Sequence, residues 1–202
     1  MTEEKLSGSK QDALLVQKAL ASSEEFGRII EKYQEPLRRY IRRLAHPSPD
    51  DVDILLQDIF IKTYENLNDF DQDLPFSSWI YRIAHNESID FLRKKKRVGA
   101  SLDDPAYDDD TIALAETIAA DTDIAKDADK EYVKKSITAV LAELEPKYRS
   151  VLVLKFLEEK DYEDISDILR KPPGTIATLI HRAKKEFKRL SLEKGMNLDT
   201  NI

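Results

Sequence analysis

Residues 161–190, DYEDISDILRKPPGTIATLIHRAKKEFKRL, decide the fold class, because they contain two amphipathic stretches separated by a short break. Asp161 is suited to cap the first stretch, and the residues RKPP interrupt the helical pattern before the second. Apolar residues at helical spacing form the inner faces of both stretches: Ile165, Ile168, Leu169, Ile176, Ile180, Ala183 and Phe187. The segment therefore predicts a helix-turn-helix unit.

The outward face of the second helix carries hydrogen-bonding and cationic side chains: Thr175, Thr178, His181, Arg182 and Lys185. In helix-turn-helix proteins the second helix reads base edges in the major groove, while phosphate contacts fix its register. Residues 170–190 hold seven cations and one acid, which favours contact with phosphate. The pattern indicates DNA binding; the alternative is an ordinary helical hairpin with a solvated basic face.

Residues 75–97, PFSSWIYRIAHNESIDFLRKKKR, predict another helix that combines aromatic side chains with a cationic end. Trp79 lies near Arg82 and Asn86, and the run from Arg93 to Arg97 contains five consecutive cations. Recognition of single-stranded DNA uses this combination, because rings stack on bases and cations meet the backbone. The alternatives are core packing for Trp79 and a solvated helix end favoured by the helix dipole for the cations.

A third predicted helix begins at Ser48-Pro49-Asp50-Asp51, which supplies a cap, a proline in the first turn and acids near the positive helix end. Its core stripe consists of Val52, Leu55, Leu56, Ile59, Thr63 and Leu67. Ile54 and Ile61 lie off that stripe, beside Gln57 and Asp58. Apolar residues on a second face indicate a partner protein; the alternative is burial on two sides within the same domain.

The charge is unevenly distributed along the chain, and this divides it into domains. The net charge is −7, yet residues 101–131 alone contain eleven acids and two lysines, so the remainder is slightly basic. Residues 98–130 also contain Pro105 and lack a sustained amphipathic stripe, which predicts a linker. Upstream, Ser22 and Glu25 form a capping-box pattern that predicts the start of the first domain helix.

Several classes of protein are excluded by composition. The chain has no cysteine, and its three histidines are too scattered to indicate a metal site. Its beginning, MTEEKLSGSKQD, does not resemble a secretory signal, and no apolar run approaches the roughly 18 residues of a membrane span. No glycine-rich phosphate loop or nucleophile-base pair is apparent. We therefore expect a cytoplasmic protein without membrane insertion, cofactor, metal or catalytic residues.

Four segments in this order resemble the extracytoplasmic-function (ECF, group 4) sigma factors of bacterial RNA polymerase. They are DVDILLQDIFIKTYENL, PFSSWIYRIAHNESIDFLRKKKR, LEPKYRSVLVLKFLEEKDYEDISDIL and PPGTIATLIHRAKKEF. The resemblance implies an all-α fold of two small helical domains joined by an acidic flexible linker. Its parts are an N-terminal segment (1–21), sigma region 2 (22–97), the linker (98–130), sigma region 4 (131–190) and a tail (191–202). The relative orientation of the two domains is left open.

The resemblance also implies roles for individual residues. Region 2 would melt the −10 element and capture a flipped base, with Asn86 hydrogen-bonding that base. The residues implied for this site are Phe70, Trp79, Tyr81, Arg82, Asn86, Arg93, Lys94 and Lys95. In region 4, Thr178, His181 and Arg182 fall on positions that read the −35 element, with Thr175 and Lys185 on the same face.

The partners implied by the resemblance are core RNA polymerase, promoter DNA and an anti-sigma factor. Gln57 and Asp58 would contact the coiled coil of the beta-prime clamp, flanked by Ile54 and Ile61, and region 4 would meet the beta flap. The sequence departs from the family pattern at Ile54, which replaces an acid, and at Lys160, which replaces an apolar residue. Ala177 and Leu179 also stand at positions that are usually basic, which predicts weak binding to free DNA.

Two other functions are consistent with the residues alone. One is an autonomous helix-turn-helix regulator, which would bind duplex operators tightly without polymerase. The other is a protein-interaction module whose basic faces are only solvated, so that changes at Lys94 and Lys95 would not alter the salt dependence of any complex.

Overall fold

The computed structural model describes residues 3–72, 74–98 and 136–195, and within these ranges every regular element is helical. The N-terminal half contains α1 (Glu3–Ala21), α2 (Phe26–Ala45), α3 (Pro49–Glu65) and α4 (Phe76–Val98), with 3₁₀ turns at Ser23–Glu25 and Leu67–Asp69. The C-terminal half contains α5 (136–143), α6 (Pro146–Leu152), a π-helical turn (Val153–Leu157), α7 (Tyr162–Leu169) and α8 (Pro173–Glu193). The all-α fold with two helical domains is confirmed.

Local capping explains where two of the helices begin. The Ser48 side chain accepts a hydrogen bond from the Asp51 amide at 3.3 Å, which starts α3. Asp161 does the same for α7, because its carboxylate accepts from the Asp164 amide at 2.8 Å. Both predicted caps are confirmed. The predicted capping box at Ser22 is wrong: the Ser22 side chain makes no capping bond, and a 3₁₀ turn separates it from α2.

The helix-turn-helix is formed by α7 and α8, as predicted. Arg170 takes a left-handed conformation with φ of 49° and ends α7, and the two prolines that follow begin α8. The inner faces are buried, with Ile165, Ile168, Ile176, Ile180, Ala183 and Phe187 in the core and Leu169 packed against it. The helix α8 continues to Glu193, three residues past the predicted end of the domain, and Ser191 is buried.

The first segment of the chain is helical, which the sequence analysis did not foresee. Helix α1 contacts both α2 and α4, and Val16 and Ala19 are buried in the core. Asp12 is also buried and accepts hydrogen bonds from Lys32 Nζ at 2.6 Å and from the Tyr33 hydroxyl at 2.7 Å. Burial and the Asp12 carboxylate raise the pKa of Tyr33. The N-terminal segment therefore packs as part of the N-terminal half.

Helices α4 and α2 make the main contacts between the two halves. Helix α4 packs on α7, and the end of α2 meets α6 and the π-helical turn. The buried apolar residues of both halves form one connected cluster. The predicted linker beyond Val98, and the tail beyond residue 195, lie outside the described residues. Among the described helices, none combines the length and the apolarity that a membrane crossing requires.

Candidate nucleic-acid interface

The outward face of α8 is fully open to solvent. The five side chains predicted to face DNA are exposed: Thr175, Thr178, His181, Arg182 and Lys185. They lie opposite the buried residues Ile176, Ile180 and Ala183, so the helix separates a structural face from a polar one. The Thr178 hydroxyl donates to the Gly174 carbonyl at 2.9 Å and keeps its methyl and oxygen at the helix surface. This face has the chemistry that major-groove contact requires.

The middle of α4 opens onto a cleft that also involves the other half. Asn86 is exposed, while Trp79 and Arg82 are partly buried. These three residues line a cleft of about 390 Å³ together with Lys62, Asn66, Asp69, Ile83, Glu87 and Arg170. Arg170 comes from the turn of the helix-turn-helix. Burial, followed by the nearby positive charge of Arg170, lowers the pKa of Arg82.

An aromatic cluster holds Trp79 in place at one end of this cleft. The ring of Trp79 lies 5.1 Å from that of Phe70 and 5.6 Å from that of Phe76, measured between centroids. Phe70 and Phe76 are themselves 5.4 Å apart in an edge-to-face arrangement, and both are buried. Of the residues predicted for the −10 site, Phe70 thus supports Trp79 from within the core instead of facing solvent.

Tyr81, also predicted for the −10 site, is covered by the C-terminal half. Its hydroxyl donates to Glu158 Oε2 at 2.7 Å, and the ammonium of Lys160 lies 4.3 Å from the centre of its ring. Burial and the Glu158 carboxylate raise the pKa of Tyr81 well above its ordinary value. Tyr81 and Asn86 therefore lie in different environments on the same helix, because Tyr81 is buried and Asn86 is exposed.

Glu158 also pairs with Arg43 across the two halves. Arg43 Nη1 donates to Glu158 Oε1 at 2.7 Å, and the two side chains are only 4% and 5% exposed. Burial raises the pKa of Glu158, while its bonds to Tyr81 and Arg43 oppose that shift. Sequence reasoning missed this pair, since no periodicity links residues 115 positions apart.

Arg149 makes a further buried connection between the halves. Its guanidinium donates to the Leu44 carbonyl at 2.8 Å, and Nη1 lies 3.3 Å from His46 Nδ1. Nη2 donates to the carbonyls of Ala142 at 2.5 Å and Leu144 at 3.0 Å. Burial lowers the pKa of Arg149 to about 10 and, with the Arg149 charge, that of His46 to about 3. His46 is therefore neutral and accepts from Arg149.

His85 belongs to the packing of the N-terminal half. Its Nδ1 lies 3.0 Å from the hydroxyl of buried Tyr40. Burial lowers the pKa of His85 to about 4, and the positive charge of Lys171 contributes. His85 directly precedes Asn86 in the sequence, but its side chain is mostly buried, whereas that of Asn86 is exposed.

The cationic end of α4 is mostly exposed. Arg93 and Lys94 point to solvent, although Arg93 Nη1 pairs with Asp90 at 3.0 Å. Lys95 is partly buried, with Nζ 5.9 Å from the ring centre of Phe91. The run can reach phosphate without any rearrangement of the helix.

The outward face of α3 is apolar and exposed. Ile54 is 57% exposed, Ile61 47% and Tyr64 48%, and Gln57 and Asp58 between them are exposed as well. The alternative in which this helix is buried on two sides within its own domain is therefore wrong. Tyr64 extends the face by one turn, and its spacing from Ile61 is the signal that could have found it.

The described residues contain no group of three or more side chains that could hold a metal ion. Residues 29–98 match the family described as Sigma-70 region 2, and residues 134–187 match Sigma-70, region 4. The chain is also 32% identical over 168 residues to the ECF RNA polymerase sigma factor SigW of Bacillus subtilis, which covers 81% of this chain and 87% of SigW. The chain belongs to the ECF sigma factors.

A further relative and two solved structures are also similar to this sigma factor. The ECF RNA polymerase sigma-E factor of Escherichia coli strain K12 is 28% identical to this sigma factor over 179 residues, covering 86% of this chain and 91% of its own. The structure of CnrH in complex with the cytosolic domain of CnrY has a TM-score of 0.63 at 22% identity, covering 89% of this chain and 96% of CnrH. RpoE in complex with the anti-sigma factor NepR from Bartonella quintana has a TM-score of 0.61 at 19% identity, covering 83% and 96%. These two structures share the fold of this sigma factor.

Proposed function

We propose that this sigma factor directs RNA polymerase to promoters by two separate DNA contacts. Helix α8 reads the −35 element as duplex, and α4 with the loop before it captures one strand of the −10 element as it opens. The observation that carries the proposal is that Asn86 and Arg182, on different halves of the molecule, both lie exposed on polar helix faces. The protein acts in the bacterial cytoplasm, where the polymerase works, and contributes recognition without catalysing a reaction.

The contact to the −35 element uses the outward face of α8. Thr178, His181 and Arg182 contact base edges and phosphate, with Thr175 and Lys185 at the two ends of the same face. Ala177 and Leu179 add no charge, so few phosphates are neutralised and α8 alone holds DNA weakly. Specific binding therefore depends on the polymerase.

The contact to the −10 element uses the cleft on α4. Asn86 hydrogen-bonds the edge of an extruded base, and Trp79, held by Phe70, provides a rigid wall for it. Arg82 completes the cleft, Tyr81 joins the site once the C-terminal half no longer covers it, and Arg93, Lys94 and Lys95 contact the strand backbone. Extruding a base costs a few kcal/mol, which stacking and edge contacts in such a pocket offset.

The contact to polymerase uses the outward face of α3. Gln57 and Asp58 supply polar contacts to the coiled coil of the beta-prime clamp, and Ile54 and Ile61 supply exposed apolar area. Region 4 docks on the beta flap, and an anti-sigma factor holds the protein when it is not in use. The two fold neighbours were solved in complex with the cytosolic domain of CnrY and with the anti-sigma factor NepR, which supports the last of these contacts.

The test is run-off transcription with core polymerase on genomic fragments whose transcript starts respond to overexpression of this chain. We expect promoter-dependent transcripts from these fragments, and Ile54→Ser with Ile61→Ser to weaken binding to core polymerase. Leu14→Ser, which alters an exposed leucine on α1, serves as the matched control. No transcript from any such fragment would contradict the proposal. Tight binding to the same DNA without polymerase would favour the autonomous regulator instead.

A further inference from the structure

We infer that the two halves of this sigma factor hold each other closed through a latch formed by Arg43, Tyr81, Glu158 and Lys160, and that the closed form is inactive. The inference rests on the proposed function, because what the latch withholds is the −10 site. Parting of the halves must therefore come before promoter opening.

Glu158 is the centre of the latch, because its two carboxylate oxygens bind two different helices of the N-terminal half. Oε1 accepts from Arg43 Nη1 on α2 at 2.7 Å, and Oε2 accepts from the Tyr81 hydroxyl on α4 at 2.7 Å. The same Arg43 nitrogen donates to the Leu157 carbonyl at 3.1 Å. One side chain from the turn before α7 thus fixes that turn to both α2 and α4.

Lys160 closes the latch from the other side of Tyr81. Its ammonium lies 4.3 Å from the ring centre and 3.1 Å from Ser77 Oγ. A cation over an aromatic ring is attracted to the π face. Tyr81 is therefore held at its hydroxyl by Glu158 and at its ring by Lys160, one of the positions at which this sequence departs from its family.

The latch covers residues that the −10 site requires. Tyr81 is buried beneath the turn, and Arg170 from the C-terminal half lies in the cleft that Asn86 and Arg82 line. Beside the latch, the Ser78 hydroxyl donates to Asp164 Oδ1 at 3.2 Å, between two buried residues. A DNA strand that enters the cleft beside Asn86 meets Arg170 of the C-terminal half, and it cannot reach the covered side chain of Tyr81.

The chemistry of the latch suits a contact that opens. Desolvation offsets much of the attraction within a buried ion pair, so the intact pair can open when water reaches both charges, whereas removing one partner leaves the other charge buried and unpaired. When the halves part, Arg43, Glu158 and Lys160 regain water and remain soluble as separated charges. The halves also share one connected cluster of buried apolar residues, so opening exposes apolar surface as well and requires a partner to cover it.

A reducible lock tests whether the closed form is inactive. The chain has no cysteine, so Ser78→Cys with Asp164→Cys introduces a single pair of thiols across the interface. We expect the oxidised double variant to give at least tenfold less promoter-dependent transcript with core polymerase than the same protein after reduction. The two single variants should respond equally with and without reductant. Equal transcription by the oxidised and reduced double variant would overturn the inference.

The rate at which this disulfide forms tests the latch itself, without any reference to transcription. Adding Glu158→Ala should slow disulfide formation at least tenfold and raise the radius of gyration measured by X-ray scattering. Glu158→Gln, which retains a partner for Tyr81, should lie between the two. Glu163→Ala, at an exposed carboxylate on α7, is the matched control. Circular dichroism verifies that each variant keeps its helices.

The two measurements separate the possible failures. An unchanged rate of disulfide formation in Glu158→Ala would overturn the latch whatever the transcription assay gives. If the rate falls as expected but the reduced protein drives no promoter-dependent transcript, the latch stands as a structural contact and the proposed function fails.

Discussion

Helices α4 and α8 carry similar side chains, yet the structure treats them differently. Both place polar and cationic residues opposite an apolar stripe, and both are proposed to bind DNA. The polar face of α8 is entirely exposed, whereas α4 exposes Asn86 and buries Tyr81 under the turn before α7. The polar face of α8 is therefore accessible to DNA, whereas the corresponding face of α4 is partly exposed and partly covered by the C-terminal half.

The difference teaches that an amphipathic pattern identifies a helix's inner face but not everything that covers its outer face. The inner face of α8 packs on α6 and α7 within its own half. Helix α4 packs on α2 and α3 within its half and on α7 of the other. The four predictions that follow test this contrast between covered and exposed side chains, beginning with the largest expected effect.

The sharpest contrast is between buried Arg149 and exposed Arg182. Arg149→Met removes the donor for the carbonyls of Leu44, Ala142 and Leu144 and leaves them buried. We expect the free energy of unfolding to fall by about 3 kcal/mol. Arg182→Met should change it by less than about 0.5 kcal/mol. Urea denaturation followed by circular dichroism measures both, and equal effects would contradict the contrast.

The second prediction concerns the pH dependence of stability that neutral His85 creates. Its folded-state pKa of about 4 lies below the ordinary value of 6.5, so the stability it contributes is fully present above pH 6.5. That contribution is lost as pH falls from 6.5 toward 4, and the loss amounts to about 2 kcal/mol at pH 5.

The variant His85→Gln keeps an acceptor for Tyr40 but does not titrate. Between pH 7 and pH 5, its free energy of unfolding should therefore fall by about 2 kcal/mol less than that of the unaltered protein. Denaturation curves at both pH values measure this, and contributions from other titrating groups cancel in the difference. Parallel pH curves for the two proteins would show that His85 is not held neutral.

The third prediction separates strand opening from initial binding. Asn86→Ala removes a proposed hydrogen bond to an extruded base, so we expect promoter opening to fall about tenfold, equivalent to about 1.4 kcal/mol. Binding of the holoenzyme in the closed complex should change less than about twofold. Permanganate reactivity of the melted strand and gel shift measure the two steps.

Gln34→Ala, an exposed amide on α2, is the matched control for Asn86. It should alter neither step. A loss of similar size in opening and in closed-complex binding by Asn86→Ala would exclude a role in base capture.

The smallest expected effect distinguishes two arginines of α8. Arg182→Ala should reduce the slope of log affinity against log salt concentration by about one for holoenzyme on promoter DNA, because one phosphate contact is lost. Arg189, paired with Glu186 at 2.7 Å and Glu193 at 2.5 Å, is already neutralised within the helix. Arg189→Ala should leave the slope unchanged. A slope that falls for Arg189→Ala but not for Arg182→Ala would contradict the proposed DNA contact at Arg182.

Much of the fold followed from local patterns, and particular residues show why. The core stripe predicted from Val52 to Leu67 is buried throughout, because helical periodicity reports directly on which side chains share a face, although Leu67 itself lies in the 3₁₀ turn after α3. Ser48 and Asp161 were predicted as caps and make the expected bonds. Helix α1 was missed, since its buried side chains include the carboxylate of Asp12, which interrupts the amphipathic pattern.

The candidate site was predictable in part. Asn86, Arg182 and the isoleucines of α3 were expected on outward faces and are exposed, because their helices position them away from the core stripe, and their roles stay predictions. The burial of Phe70 and Tyr81 was not foreseen, because both are aromatic residues that suit a binding surface and a core equally well. Lys160 was noticed only as a departure from the family, and its contact with Tyr81 explains how it is accommodated.

The amino-acid sequence by itself determined the helices, their ends and their inner faces, because these depend on residues within a few positions of one another. It also determined which family the chain resembles. Only the tertiary structure decided that Arg43 meets Glu158 and that Lys160 covers Tyr81. Those contacts join residues about 80 to 115 positions apart, and a buried charge finds its partner through the packing of whole helices, which no local pattern specifies.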